Sequence, residues 1–279
     1  IEEGGLFCYP LGMQPPSFLL APCGPRVKRA GVSCFAAFLA ALWVGMLSAE
    51  AGCFAAWPAF LAAVAAGTVV WWQSCSHEVE HRASSLHTGW LAAAAALGLG
   101  SLALTLPPSE WIVGGLDPGV YIHTAGSLAR EGTLRLTVPD LAALDADARA
   151  QLGRDGREVW EPFVGMRMMA DGRLSPQFYH LYPVLMALAW PLGGVRAALT
   201  VNPLLNVCCI LGMYLWAARW IRPRWAFAAA LVLALNPAQV WQARFGTSEL
   251  LTQCLLLGGL AMMGRALSGE RRGLLDALL

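Results

Sequence analysis

At 279 residues the chain is long enough for one or two domains, but 57% of it is hydrophobic and only 13% charged, with a mean hydropathy of +0.53, which points away from a soluble globular protein. A net charge of +1, with basic residues spread along the chain rather than gathered in one stripe, excludes nucleic acid as a partner. Five of the eight cysteines, Cys34, Cys53, Cys208, Cys209 and Cys254, fall in apolar runs, so neither a disulfide framework nor a cysteine metal site is implied.

The first segment, 1–30, is a Pro- and Gly-rich lead-in without periodicity before the first apolar run. The chain starts at Ile1 rather than Met and stops inside another apolar stretch, so the expectation is the N-terminal part of a longer protein. A membrane-crossing helix needs about 20 apolar residues. Runs of that kind occur at 31–49, 51–73, 90–106, 197–218, 225–241 and 250–267, which predicts six spans. The apolar run 180–193 is shorter and holds Pro183 and Pro191; it is placed at the membrane surface, as an interfacial or re-entrant helix. Six spans put Arg26, Lys28, Arg29, Arg82, the cluster Arg219, Arg222 and Arg224, and Arg265, Arg271 and Arg272 on one side, which the preference of Lys and Arg for cytoplasmic loops makes the inside. The predicted fold is therefore an all-α polytopic bundle in the inner (plasma) membrane, with a large extracytoplasmic loop, 107–196, carrying short interfacial helices.

That loop holds more than half of the chain's 18 acidic residues, as befits a segment in water. Its first helix is well punctuated: Asp117 as N-cap, Pro118 at the first helical position, Gly132 just past the end, and Val120, Ile122, Ala125, Leu128 and Ala129 for an apolar face along the membrane. The stretch 139–161 alternates charge and Ala and predicts a solvated helix and turn. A second outer loop, 242–248, faces the same side.

The segments GGLDPGVYIHTAGSLAREGTL after one span, FYHLYPVLMALAWPLGG before the next, and LNPAQVWQARFGTSELLTQ at the second outer loop together resemble the GT-C superfamily of membrane glycosyltransferases. The likeness is to the bacterial branch of lipid A aminoarabinose transferases and relatives of the protein O-mannosyltransferases. It covers 90–267, so that 90–279 reads as the first part of a GT-C-like module and 31–89 as an extra hairpin with its connector. The resemblance implies transfer of a sugar from a polyprenyl-phosphate donor to an acceptor glycan, lipid or protein at the outer face, with inversion. It places Asp117 at the family's first-loop acid and Glu249 at its second, as the catalytic pair. Tyr121, His180, Tyr182 and Arg244 fall to substrate binding, Arg244 toward the lipid phosphate. Pro118 follows Asp117 where many relatives carry a second acid, so no metal or other cofactor is indicated.

Each of these residues also has a plain structural reading. An Asp before Pro caps a helix, Glu249 opens one, Arg244 snorkels to headgroups, and His180 and Tyr182 join an aromatic belt. His77-Glu78-Val79-Glu80-His81 satisfies the HExxH zinc motif of metalloproteases, but it sits in a short polar connector with no apolar helix to bury a site. A transporter or scaffold subunit is the non-enzymatic alternative; its usual mark is ionisable or broken-helix features at mid-membrane.

The topology predicts that single cysteines placed within 140–155, in a background without native cysteines, react with a membrane-impermeant thiol reagent in intact cells. Protection there, with labelling near Arg222 instead, reverses the assignment.

Overall fold

The computed structural model describes residues 25–75, 85–112, 116–152, 165–169 and 171–267. It is mostly helical, with a single two-stranded hairpin among the described residues. Helices α1 (Pro25–Glu50) and α2 (Ala56–Cys75) form an antiparallel pair joined by a tight turn. Then come α3 (Ser85–Gly100), α4 (Leu102–Thr105), α5 (Asp117–Glu131), α6 (Pro139–Ala142) and α7 (Ala146–Leu152). Strands β1 (Met166–Met168) and β2 (Leu174–Pro176) pair antiparallel, with Arg167 opposite Ser175. The chain continues through α8 (Leu181–Ala189), a 3-10 turn (Trp190–Leu192), α9 (Gly194–Leu199), α10 (Val201–Ala217), α11 (Pro223–Leu235), α12 (Pro237–Arg244) and α13 (Glu249–Leu267).

Three helical stretches are long and apolar enough to cross a membrane, Arg29–Glu50, Thr88–Thr105 and Gly194–Ala217; α11 and α12 together make a fourth. Among the described residues the count is thus three or four, against six expected from apolar runs over the whole chain. The run 225–241 is no straight span, because it bends by 58° between α11 and α12. The cause is local: Pro237 lacks the N–H that would continue the ladder, and the Asn236 side chain accepts a bond from the Ala238 N–H at 2.9 Å, starting a new helix.

Two helices of the segment 107–196 are largely buried against the rest of the chain. For α5, burial extends well beyond the anticipated apolar face: Gly119, Tyr121, Thr124, Gly126 and Ser127 are buried along with Val120, Ile122, Ala125 and Leu128. The short run 180–193 forms α8, below the length of a span as expected, and packs into the bundle with Val184 and Met186 wholly shielded. It descends antiparallel to α1: His180 meets Glu50 at the end of α1, and Val184 packs where a Cβ on Gly45 would come within 2.8 Å of it. The absent side chain at Gly45 is what lets α8 in. Tyr121, Ile122, Tyr182, Val184, Leu199 and Leu250 share one apolar cluster with Leu42 and Ala49 of α1. The N-terminal hairpin thus packs into the same core as the rest. Gly132, with φ of 71°, ends α5 as expected and accepts the Phe54 N–H through its carbonyl at 3.0 Å, tying the turn of the hairpin to α5.

Polar side chains join the helices where apolar ones would only touch. Asn206 on α10 donates to Ser101 Oγ at 3.1 Å and accepts from Gln239 Nε2 of α12 at 2.8 Å. Gln239 donates further to Gln253 Oε1 of α13 at 2.9 Å. Replacing Asn206 by Leu leaves Gln239 and Ser101 short of a partner in an apolar interior, which costs about 1–2 kcal/mol. Reversible unfolding in mixed micelles should show that loss, and a neutral Asn206→Leu would mean that the network does not hold these helices together.

Candidate functional site

Asp117 opens α5 as its first residue; the N-cap is Leu116, in extended conformation, and no side chain caps this end. The capping expectation for Asp117 is therefore corrected. Pro118 stands one place later than expected, at the second helical position, where its missing N–H still costs no intrahelical bond. With no capping bond to hold it, the exposed Asp117 carboxylate is available to a neighbour or a ligand. Glu249 opens α13 in the same way and is also exposed.

Tyr121, one turn after Asp117, lies between the two segments that sequence placed on one side. Its hydroxyl hydrogen-bonds Ser248 Oγ at 3.2 Å, and its ring meets Tyr182 edge-on at 5.1 Å and Phe178 at 5.4 Å. Burial raises the Tyr121 phenol above its usual 10.0; the Ser248 hydrogen bond offsets part of this, and the negative charges of Asp117 and Glu249 add to it. Both carboxylates thus act on one phenol. Tyr182 is shifted further in the same direction, by burial first and then by Tyr121 and Glu249. Its hydroxyl is buried without a hydrogen-bond partner. Tyr121, Tyr182 and Ser248 thus form one cluster, with Asp117 one turn before Tyr121 on α5 and Glu249 next to Ser248.

The loop between α12 and α13 is held onto this cluster from below. Asn202 of α10 donates its amide N–H groups to the carbonyls of Phe245, Thr247 (2.9 Å) and Gln242 (3.3 Å). Thr247 Oγ1 donates to Gln242 Oε1 at 3.0 Å. These bonds fix Ser248 and Glu249 against α5.

The other two candidates are placed differently. His180 Nδ1–H donates to the Glu50 carboxylate at 2.5 Å, so its clear role is to pin the top of α8 to the end of α1. Arg244 ends α12 exposed; its carbonyl accepts from the Ser109 N–H at 2.8 Å, and its guanidinium makes no hydrogen bond or ion pair among the described residues. Beside it Phe245 lies between Trp241 (4.6 Å) and Trp111 (6.1 Å) in an exposed aromatic stack. A cation next to exposed indoles at a helix end suits a lipid headgroup region. His123 Nε2–H donates to the Ile112 carbonyl at 2.9 Å, a local tie and no part of the cluster.

No group of three or more His, Cys, Asp and Glu with metal-binding geometry occurs among the described residues. The HExxH motif, within 76–84, lies outside them. The chain matches no protein-family model, and no curated protein or solved structure matches it.

Sequence reasoning passed over Ser248, Phe178 and Asn202. Asn202 carried a signal, since an amide inside an apolar run needs a partner; Ser248 and Phe178 are distinguished only by what folds against them.

Both buried phenols hold their protons more tightly in the folded chain than in the unfolded one. Above a pH of about 10 the unfolded chain loses these protons first, so stability present below that pH falls as pH rises. The melting temperature of the purified protein should drop between pH of about 9 and 11, and less steeply in Tyr121→Phe or Tyr182→Phe. Parallel slopes in all three proteins would show that the phenols are not shielded.

Proposed function

We propose that this chain carries the catalytic face of a membrane glycosyltransferase that moves a sugar from a polyprenyl-phosphate donor to an acceptor hydroxyl at the outer side of the membrane. The observation that carries the reading is the Tyr121–Ser248 hydrogen bond, which joins α5, opened by Asp117, to the start of α13, opened by Glu249, in a bundle with apolar helices of membrane-crossing length.

The chemistry follows from the groups. The acceptor oxygen attacks the sugar carbon from the face opposite the phosphate, its bond to carbon forms as the carbon–phosphate-oxygen bond breaks, and the configuration inverts. The acceptor proton passes to the Asp117 carboxylate, a general base at the water-facing end of the cluster. Glu249 is the second acid on that face and stabilises positive charge developing on the sugar. Polyprenyl phosphate leaves as an anion toward Arg244, whose guanidinium suits it. The aromatic stack at Trp111, Phe245 and Trp241 sits where the lipid headgroup enters.

One observation favours a transporter instead: the 58° break at Asn236 and Pro237, with buried amides around it, has the form of a discontinuous membrane helix. The amides of Asn206, Gln239 and Gln253 are bonded to one another, so that region leaves little for a solute to bind. Solute flux in proteoliposomes with no sugar transfer would choose that reading.

The deciding variant is Asp117→Asn, which keeps size and hydrogen-bond acceptance but cannot take a proton. Loss of a general base lowers the rate about 100- to 10,000-fold. Sugar transfer from a polyprenyl-phosphate-sugar pool in membranes containing the variant should fall by that factor with expression and melting temperature unchanged. Transfer near the unsubstituted rate removes Asp117 from the mechanism and leaves Glu249 as the acid to test.

A further inference from the structure

The Tyr182 hydroxyl is the one buried phenol of the cluster with nothing to bond. The side chain is 1% exposed, and its oxygen has neither a donor nor an acceptor within reach. Buried polar groups without partners are uncommon, and each calls for something to fill the position. What faces this hydroxyl is Gly246. A methyl group built on Gly246 would stand 3.7 Å from Leu199 Cδ2, 3.8 Å from Pro118 Cβ and 3.9 Å from the Tyr182 oxygen. All three are ordinary contact distances. The missing side chain therefore leaves a space of about one methyl group between α5, α8, α9 and the loop before α13.

We propose that this space receives one hydroxyl group of the donor sugar, hydrogen-bonded by Tyr182, and that Gly246 is kept small to admit it. The inference rests on the glycosyltransferase reading and adds to it a specificity position. A hydroxyl oxygen has the bulk of a methyl group, and a shift of under about 1 Å brings it to hydrogen-bonding distance of Tyr182.

The surroundings select the chemistry. A phosphate is disfavoured, because the wall of Leu199, Pro118 and the Tyr182 phenol offers it no positive charge. A cation finds no charged ligand in a wall made of Leu199, Pro118 and a neutral phenol. A neutral hydroxyl needs only the partner that Tyr182 offers. Within a lipid-linked sugar, only the sugar carries neutral hydroxyls.

The test compares two probes, undecaprenyl-phosphate-mannose and bare undecaprenyl phosphate, binding to the purified whole protein, to Tyr182→Phe and to Gly246→Ala. Tyr182→Phe keeps the ring against Tyr121, and an alanine methyl fits the space without overlap, so both variants should fold; melting temperature checks this. The expected result is that the unsubstituted protein prefers the sugar-bearing lipid, and that each variant loses about tenfold or more in affinity for it while holding the bare lipid unchanged. If the preference persists in both folded variants, the hydroxyl site is overturned, the space holds no more than a water, and the glycosyltransferase reading stands. A variant that weakens both lipids alike also overturns it, since the effect is then not on the sugar. An unsubstituted protein that binds the two lipids equally, or neither, brings down the glycosyltransferase reading together with this inference.

Discussion

Buried amide hydrogen bonds between helices are the constraint on which the rest of the structure depends. Ser101, Asn206, Gln239 and Gln253 come from four separate stretches of an otherwise apolar chain, and each has a partner in the network. In an apolar surrounding there is little to choose between one greasy helix face and another, because lipid and protein interiors offer similar contacts. Amide groups do discriminate, since an unpaired one carries the full cost of its lost hydration. The network therefore sets the rotation of α10, α12 and α13 about their own axes. It also explains why the sharp bend after α11 is tolerated: Gln239, in the first turn beyond the bend, is bonded on two sides.

From that fixed set of helices the candidate site follows by short steps. Asn202, one turn before Asn206 on α10, holds the carbonyls of the loop before α13, and the loop in turn presents Ser248 and Glu249 to Tyr121. The opposite wall comes from α8, which is let into the bundle by Gly45 and pinned at its top by the Glu50–His180 pair. Asp117 and Glu249 each occupy the first residue of a helix, where backbone N–H groups favour negative charge. Two carboxylates are thereby kept exposed above a floor of buried phenols. Polar chemistry at the end of an apolar bundle is where a lipid-anchored substrate and a water-borne one can meet.

Much of the architecture was legible in the sequence because it rests on local rules. Apolar run length located the long helices, and Gly132 marked the end of α5. The same rules misplaced the cap of α5. Asp117 read as a cap because Asp-Pro is a capping pattern, yet the helix begins one residue earlier and leaves the carboxylate uncommitted. The run 180–193 read as too short to cross and forms a short helix, α8; that its neighbours bury it is a matter of packing. His180, which the resemblance gave to substrate binding, pairs through Nδ1 with Glu50, a partner more than a hundred residues away that no local pattern announces.

What the sequence determined by itself is the class of molecule: apolar composition and run length fix helices of membrane-crossing length, since backbone polar groups in an apolar medium must bond within their own segment. A family resemblance, not a local rule, singled out Asp117, Glu249 and Arg244. Only the tertiary structure decided which of them act together. Tyr121 with Ser248, Tyr182 with the space at Gly246, and Asn202 with the loop it holds are pairings across long stretches of chain. No local pattern encodes them, because each depends on how closely two helices approach, and that distance is set by small residues and buried amides elsewhere in the bundle.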